Sequence, residues 1–399
     1  MATQYRSPGV YRQEIFQKPV AGLVTGVPGF VGLADDASPT PPNQPVVLRR
    51  KEEFAAKFKR ASAGFGYLAE AVAGFFDNGG ERCYVARAAN VDEFGREDAL
   101  LAAIGSLEPI EELDLLAAPD AMTLRLSLSG ALNADAVRRV QQAMLRQCAR
   151  LGTRFAILDA PPDPDVSGLL QYRNELTIGQ AEPVNGALYY PWVKIAGGQQ
   201  SLPMPPCGHV AGIYARADAK AGVFKAPANE ELLGALDLGV SDGRKETAIP
   251  VDNQLQDQLN PEGVNCLRAF PGRGIRVWGA RTLSREPEWR YVNVRRLFLT
   301  LRRWIEQNMT WATFEPNEPL LWTRIQRELT VYLTKLWRDG ALAGLQPEQA
   351  FYVKCDSETN PPEKREVGEV TTEIGLAPGA PAEFIVVRIT HRPGAAEIT

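Results

Sequence analysis

The sequence predicts an α/β domain built on a mixed sheet, then an α+β domain in which a small sheet is flanked by long helices, with an extended arm at each end. Three observations carry that expectation. From about residue 23 to 225, short apolar runs alternate with segments of helical periodicity, as β-α-β units do. Six of the seven tryptophans lie between Trp278 and Trp337, the density of large side chains expected of a heavily packed core or a buried subunit interface. At each end, a strand-like segment has no neighbour in sequence to pair with: Val10 to Ile15, and Phe384 to Ile389.

In order, residues 1–22 read as an arm. Pro8 and Gly9 precede the short extended stretch at Val10, and Lys18-Pro19 marks a loop. Residues 23–225 form the α/β domain, with strands "VPGFVGLA", "CYVARA", "DLLAAP", "FAILDA" and "ALYYPWVKI". Between them, "GYLAEAVAGFFDNGG" places Leu68, Val72, Phe75 and Phe76 at helical spacing, and "DAVRRVQQAMLRQCARLG" is a second helix stopped by Gly152. The proline-rich "APPDPDVSG" reads as a loop, and the Gly- and Asp-rich "KAPANEELLGALDLGVSDGRKE" as a long connection. Residues 226–382 form the second domain: strands "VNCLRAF" and "IRVWGART", helices near 290–308 and 318–338, then strands "AFYVKCD" and "EVTTEIGLA". Residues 383–399 carry the last strand and an arm.

Composition narrows the function. With 44 basic and 48 acidic residues the net charge is −4, so no global field draws the chain to nucleic acid or an anionic membrane. The five cysteines are scattered and lack C-x-x-C spacing, which argues against a disulfide framework or a zinc site. No apolar run reaches the roughly 18 residues a membrane span needs, and "MATQYRSPGV" lacks the features of a signal peptide. The expectation is a soluble, non-secreted chain that inserts into no membrane.

Little points to catalysis. The two histidines, His209 and His391, have no triad or metal partners at recognisable spacing. Cys207 and His209 in "PPCGHVAG" are the nearest approach to a thiol and base, although side chains two apart diverge and a helix start explains the run. Asp159 ends a strand where α/β sheets often place functional groups, but it is a lone carboxylate that a loop cap accounts for. An enzyme or small-molecule binder using the loops near Asp159 or Cys207 is the alternative function. "FPGRGIRVWGA" precedes a strand and reads as a turn, not a phosphate loop; "CDSETNPPE" lacks the glycine and final glutamate of a calcium loop. No cofactor or metal is expected.

One pattern rises above this background. In "WRYVNVRRLFLTLRRWI" Arg290, Arg295, Arg296, Arg302 and Arg303 occur with no acid among them. Arg295 with Arg302, and Arg296 with Arg303, repeat at seven, which on a helix predicts a basic stripe opposite Val294, Leu297, Phe298, Leu301, Trp304 and Ile305. Such guanidinium groups suit an acidic protein surface or a phosphate. A nucleic-acid module is the third alternative, disfavoured by the overall acidity and the lack of aromatics interleaved on the basic side.

Taken together, "SPGVY", "FFDNGGERCYVARA", "FAILDAP", "ALYYPWVKI", "IRVWGARTLS", "WRYVNVRRL", "FEPNEPLLW", "LWRDGALAG" and "AFYVKCDSETNP" resemble the sheath proteins of contractile phage tails and of extracellular contractile injection systems. The likeness is collinear from residue 5 to about 390 and strongest from "IRVWGARTLS" onward, without the large outer insertion of bigger phage sheaths. It implies a non-enzymatic subunit that assembles in the producing cell's cytoplasm as stacked hexameric rings around an inner tube, with baseplate and cap proteins as further partners. It also implies contraction from a metastable extended state, which drives the tube through a target envelope. The terminal strands then find partners in neighbouring subunits: Val10, Tyr11, Ile15, Phe384, Val386 and Arg388 as donors, with Phe351, Val353, Val370 and Ile374 on the accepting sheet. Pro8-Gly9, Pro19 to Gly22 and Pro378 to Pro381 are the expected hinges. The inner, tube-facing role falls to the 226–382 domain and its stripe of Arg295, Arg296, Arg302 and Arg303.

Overall fold

The computed structural model describes residues 23–59, 66–90, 92, 95–126, 130–162, 165–179, 185–197, 200–241 and 246–383. The first part of the chain runs β1 (Pro28–Gly32), β2 (Val46–Leu48), α1 (Glu52–Lys57), α2 (Leu68–Asp77), β3 (Cys83–Arg87), α3 (Arg96–Ser106), β4 (Leu115–Ala117), α4 (Ala134–Leu151) and β5 (Phe155–Asp159). It continues through α5 (Val166–Thr177), β6 (Gly186–Tyr190), β7 (Val193–Gly197), β8 (Gln200–Met204), α6 (Cys207–Ala221), β9 (Ala235–Ser241), β10 (Glu246–Ala248), α7 (Asn253–Leu259), β11 (Val264–Phe270) and β12 (Gly274–Val277). The last third holds α8 (Val292–Asn308), α9 (Pro319–Arg338), α10 (Pro347–Ala350), β13 (Phe351–Lys354), α11 (Pro362–Glu366) and β14 (Glu373–Leu376).

The main sheet has eight strands in the order β12-β11-β6-β5-β4-β1-β3-β2. Its centre is parallel, and antiparallel β2 and β12 close the two edges. β1, β5 and β6 are buried along their whole length, as strands covered on both faces must be. One face packs on α3, α4 and α5 through Leu100, Ile104, Val140, Met144 and Leu169. The other packs on α2 and α6 through Leu68, Val72, Phe75, Val210 and Ile213. Asn133 caps α4, its side-chain oxygen accepting from Ala136 N at 3.1 Å, and Gly152 ends the helix in the left-handed conformation at φ 65°.

Two expectations are revised here. β11 and β12 complete the main sheet, with Val264, Asn265 and Cys266 in register with Leu188, Tyr189 and Tyr190 of β6. Strands assigned by sequence to the second domain therefore belong to the first domain's sheet, and a boundary at 225/226 would cut it. The stretch read as a connection contains β9, which joins β7, β8 and β10 in a separate four-stranded sheet. Its glycines and aspartates hide that strand from composition alone.

The last third forms a satellite around α9. Leu321, Trp322, Ile325 and Leu329 of α9 pack against Trp304, and the Trp304 and Tyr332 rings stack at 3.8 Å. The two-stranded sheet β13–β14 lies on this cluster in antiparallel register, Phe351 opposite Leu376 and Val353 opposite Ile374. Among the described residues, each of these strands has one neighbour only.

Candidate assembly surface

The enzymatic alternative fails on geometry. Asp159 is buried and its carboxylate accepts the backbone N–H of Cys207 at 2.8 Å, so it caps the start of α6 from within the core. Burial pushes its carboxyl up to about 7. The Cys207 thiol is pushed well above its usual value by burial and by Asp159, while burial lowers the His209 imidazole to about 4. A thiolate–base pair needs the opposite arrangement, a thiol made acidic beside a base able to take its proton. The glycines of "PPCGHVAG" serve packing instead. A Cβ at Gly208 would meet the Ala71 carbonyl oxygen at 2.3 Å, and one at Gly212 the Phe75 carbonyl oxygen at 2.4 Å, so their absence lets α6 lie directly on α2.

The arginine stripe is a further revision. α8 is buried on most of its circumference because it is wedged between the main sheet and the α9 satellite, so heptad spacing does not sort its residues into wet and dry faces. Arg296 and Arg303 are buried at 2% and 3% exposure and face inward. Arg302 is exposed and paired with Glu306, and the half-buried Arg295 donates to Asn185 Oδ1 at 2.6 Å and lies over the Trp289 ring.

Arg296 organises the junction. It grips Asp218 of α6 with both terminal nitrogens, at 2.8 and 2.6 Å, and reaches Asp114 at the start of β4 at 3.0 Å. Its guanidinium stands over the Tyr214 ring, whose hydroxyl meets that of Tyr189 at 2.6 Å. Although burial alone would lower the Arg296 pKa, Asp218 and Asp114 raise it above the ordinary value, so the group stays charged. Asp114 in turn accepts the backbone N–H groups of Gly26 and Val27 at 3.0 and 2.6 Å. Arg303 donates to the carbonyls of Glu112 and Val24. One network thus ties α8, α6, β4 and the incoming residues 24–27 together, and Leu23 packs on the tryptophan cluster of the satellite.

The outgoing chain is fastened as firmly. Arg281 donates to both Glu383 carboxylate oxygens, at 2.9 and 2.5 Å, and the Tyr291 hydroxyl adds a contact at 3.3 Å. Asn293 donates to the Gly379 carbonyl, and Gly379 N to Ala341 O. Pro378 to Pro381, expected as a hinge, is therefore bonded to the body at Gly379 and bracketed by the Glu383 clamp. Sequence reasoning missed this clamp because nothing local relates Arg281 to a carboxylate 102 positions away.

Of the expected accepting residues, Phe351, Val353 and Ile374 lie on β13 and β14, whereas Val370 precedes β14 and packs on the tryptophan cluster. Val353 and Ile374 pack on that same cluster, while Phe351 and Leu376 cover Leu297 and Leu342. Tyr352 faces outward, 58% exposed. The donors Val10, Tyr11, Ile15, Phe384, Val386 and Arg388 lie outside the described residues.

This architecture has close parallels. The family model for the phage tail sheath protein central domain matches residues 102–283, and that for the phage tail sheath C-terminal domain matches 284–392. A putative prophage major tail sheath protein of Pseudomonas aeruginosa strain UCBPP-PA14 is 25% identical over 364 residues, 88% of each chain. The tail sheath protein of Vibrio phage KVP40 is 25% identical over 185 residues, a match to 46% of this chain and 26% of that longer protein. Among solved structures, the helical sheath of the anti-feeding prophage in its contracted state superposes with TM-score 0.74 at 29% identity, covering 96% of this chain and 99% of that one. The sheath complex of the extracellular contractile injection system PVC, also contracted, gives 0.70 at 27% identity over 98% and 99%. With two adjoining domain models and full-length structural agreement, the chain belongs to the phage tail sheath family of structural, non-enzymatic proteins.

Proposed function

We infer that this chain is the sheath subunit of a phage tail or tail-like injection particle. Subunits assemble as stacked hexameric rings around an inner tube on a baseplate, and the sleeve contracts from a metastable extended state to drive the tube forward. The single observation that carries this reading is the C-terminal satellite. Its two-stranded sheet has open edges among the described residues, and the root of the incoming chain packs on the same satellite through Leu23.

Main-chain pairing at a sheet edge adheres largely independently of side chains, so arms tethered this way hold neighbours together while rigid bodies slide. In this reading residues 1–22 and the segment after Glu383 supply strands to β13–β14 of neighbouring copies, and the pivot of the C-terminal arm lies beyond the Glu383 clamp. Of the four arginines first assigned to the tube, Arg302 is the exposed one and remains the candidate for an acidic tube surface. Ion pairs there give register with modest adhesion, as a releasable contact requires.

The test is electron microscopy of the full-length chain, expressed alone and with its candidate tube protein, beside a truncation lacking residues 1–22. Hollow helical tubes from the full chain and discrete particles from the truncation are expected. Tubes of equal length from both would remove the N-terminal arm from assembly.

A further inference from the structure

Phe314 lies in the loop that joins α8 to α9, with φ at +68° and a side chain fully exposed, at 102% of the reference area. A bulky residue seldom adopts this backbone region, and here no packing among the described residues rewards it. Glu315 and Glu318 stand exposed beside it, and residues 309–323 contain no lysine or arginine. The loop is an apolar knob flanked by two glutamates, with Arg365 donating to the Asn317 carbonyl at its base.

A complementary surface sits on the β11–β12 hairpin. Arg268, Arg273 and Arg276 project from a stretch, 264–285, that holds no acid. Arg268 and Arg273 lie 5.3 and 5.5 Å from the Phe270 ring centre, and the Phe270 and Trp278 rings are 4.6 Å apart. Next to them opens a cavity of about 500 Å³ walled by Gln256, Arg268, Trp278, Ala280 and Pro381 among others. Asp257 and Glu383 also border it; Arg281 pairs with Glu383, and Arg268 is the hairpin arginine that stands on the wall. Two polar atoms of this wall, Gln256 Oε1 and Arg268 Nε, are buried with no hydrogen-bond partner among the described residues.

We propose that the Phe314 loop of one copy docks into the Trp278–Arg268 cavity of the next copy, Phe314 filling the apolar wall and Glu315 meeting Arg268. Knob and cavity belong to opposite ends of α8. Ala280, on the cavity wall, accepts from Val292 N at the start of the helix, and Phe314 follows its last residue by six positions. Seventeen helical residues separate the two ends by about 25 Å. Because the two patches stand apart on the subunit, a copy that offers its Phe314 loop to one neighbour can keep its own cavity for another, so the contact can be head-to-tail and propagate, as a sleeve demands. This inference rests on the sheath reading and adds to it a contact that does not involve the arms.

Phe314→Ala, Arg268→Glu and the exchange pair Glu315→Arg with Arg268→Glu are compared in the full-length chain, co-expressed with the candidate tube protein. Assemblies are pelleted and imaged. Each single variant is expected to lower the pelleted fraction at least 10-fold with unchanged circular dichroism, and the exchange pair to recover to within 3-fold of the parent. Phe314→Ala removes a side chain that is fully exposed among the described residues, and the unchanged circular dichroism separates lost contact from misfolding. Phe314→Ala assembling as the parent does, while removal of residues 1–22 abolishes assembly, overturns this contact and leaves the sheath reading intact. A parent chain that never assembles overturns both.

Discussion

Arg296 holds two carboxylates in a site closed to water, so its removal tests whether α8 is welded to the sheet or merely rests on it. In Arg296→Ala, Asp114 and Asp218 are left facing each other without a cation, and breaking a buried pair in this way costs about 3–5 kcal/mol. Urea unfolding followed by circular dichroism is expected to show that loss, and Arg296→Lys to recover only part of it, because an ammonium cannot grip Asp218 at two points. A change under 1 kcal/mol in Arg296→Ala would mean that the network contributes little. Asp159 gives a pH test. Its carboxyl titrates near 7 in the fold against about 3.9 in the unfolded chain, so between those values the folded state holds the extra proton. Stability from this group is present below pH ~4 and lost as pH rises through 7, by up to about 1.4 kcal/mol per unit. Comparing the parent with Asp159→Asn isolates it: the parent's stability should fall relative to the variant from pH 5 to pH 7. Parallel profiles would show Asp159 ionised throughout. His209, whose pKa is lowered to about 4, acts in the opposite sense over part of this window, which is why the difference between chains is read and not the raw curve.

Sequence patterns exposed the elements more fully than their surroundings. "VNCLRAF" coincides with β11, and the two long helices fall where the 3.6-residue repeat set them, because α9 in particular has one wet and one dry face. α8 has the same repeat without that asymmetry. Its arginines at seven-residue spacing do share a side of the helix, but which side meets solvent depends on Asp114 and Asp218, some 182 and 78 positions away. No local rule reports that. α1, α3, α5 and α7 escaped notice for a related reason: they are short or weakly amphipathic, and tertiary packing rather than propensity fixes them. Likewise, that β13 and β14 pair only with each other among the described residues is a property of topology. The collinear resemblance of whole motifs succeeded where single residues did not, because it samples the long-range arrangement that composition and periodicity cannot reach.

At the scale of the molecule, these contacts weld the incoming and outgoing chain to one body. The Arg296 network joins α8 to β4 and α6, Arg303 and Asp114 hold residues 24–27, and the Arg281–Glu383 clamp holds the outgoing chain. A contracting sleeve could gain its free energy by deforming each subunit or by moving rigid subunits past one another. Close-packed interiors resist gradual deformation, and a buried charge network resists it further, since partial separation leaves desolvated charges unpaired. The second route is therefore expected, with the conformational change confined to the arms and to contacts between copies. Hydrogen exchange on extended and contracted particles distinguishes the two. Peptides covering β4, α6 and α8 should keep the same protection in both states, while those covering residues 1–22 and 384–399 differ. A tenfold or larger gain in exchange within α8 on contraction would instead place the stored energy inside the subunit, with the Arg296 network as the contact that breaks.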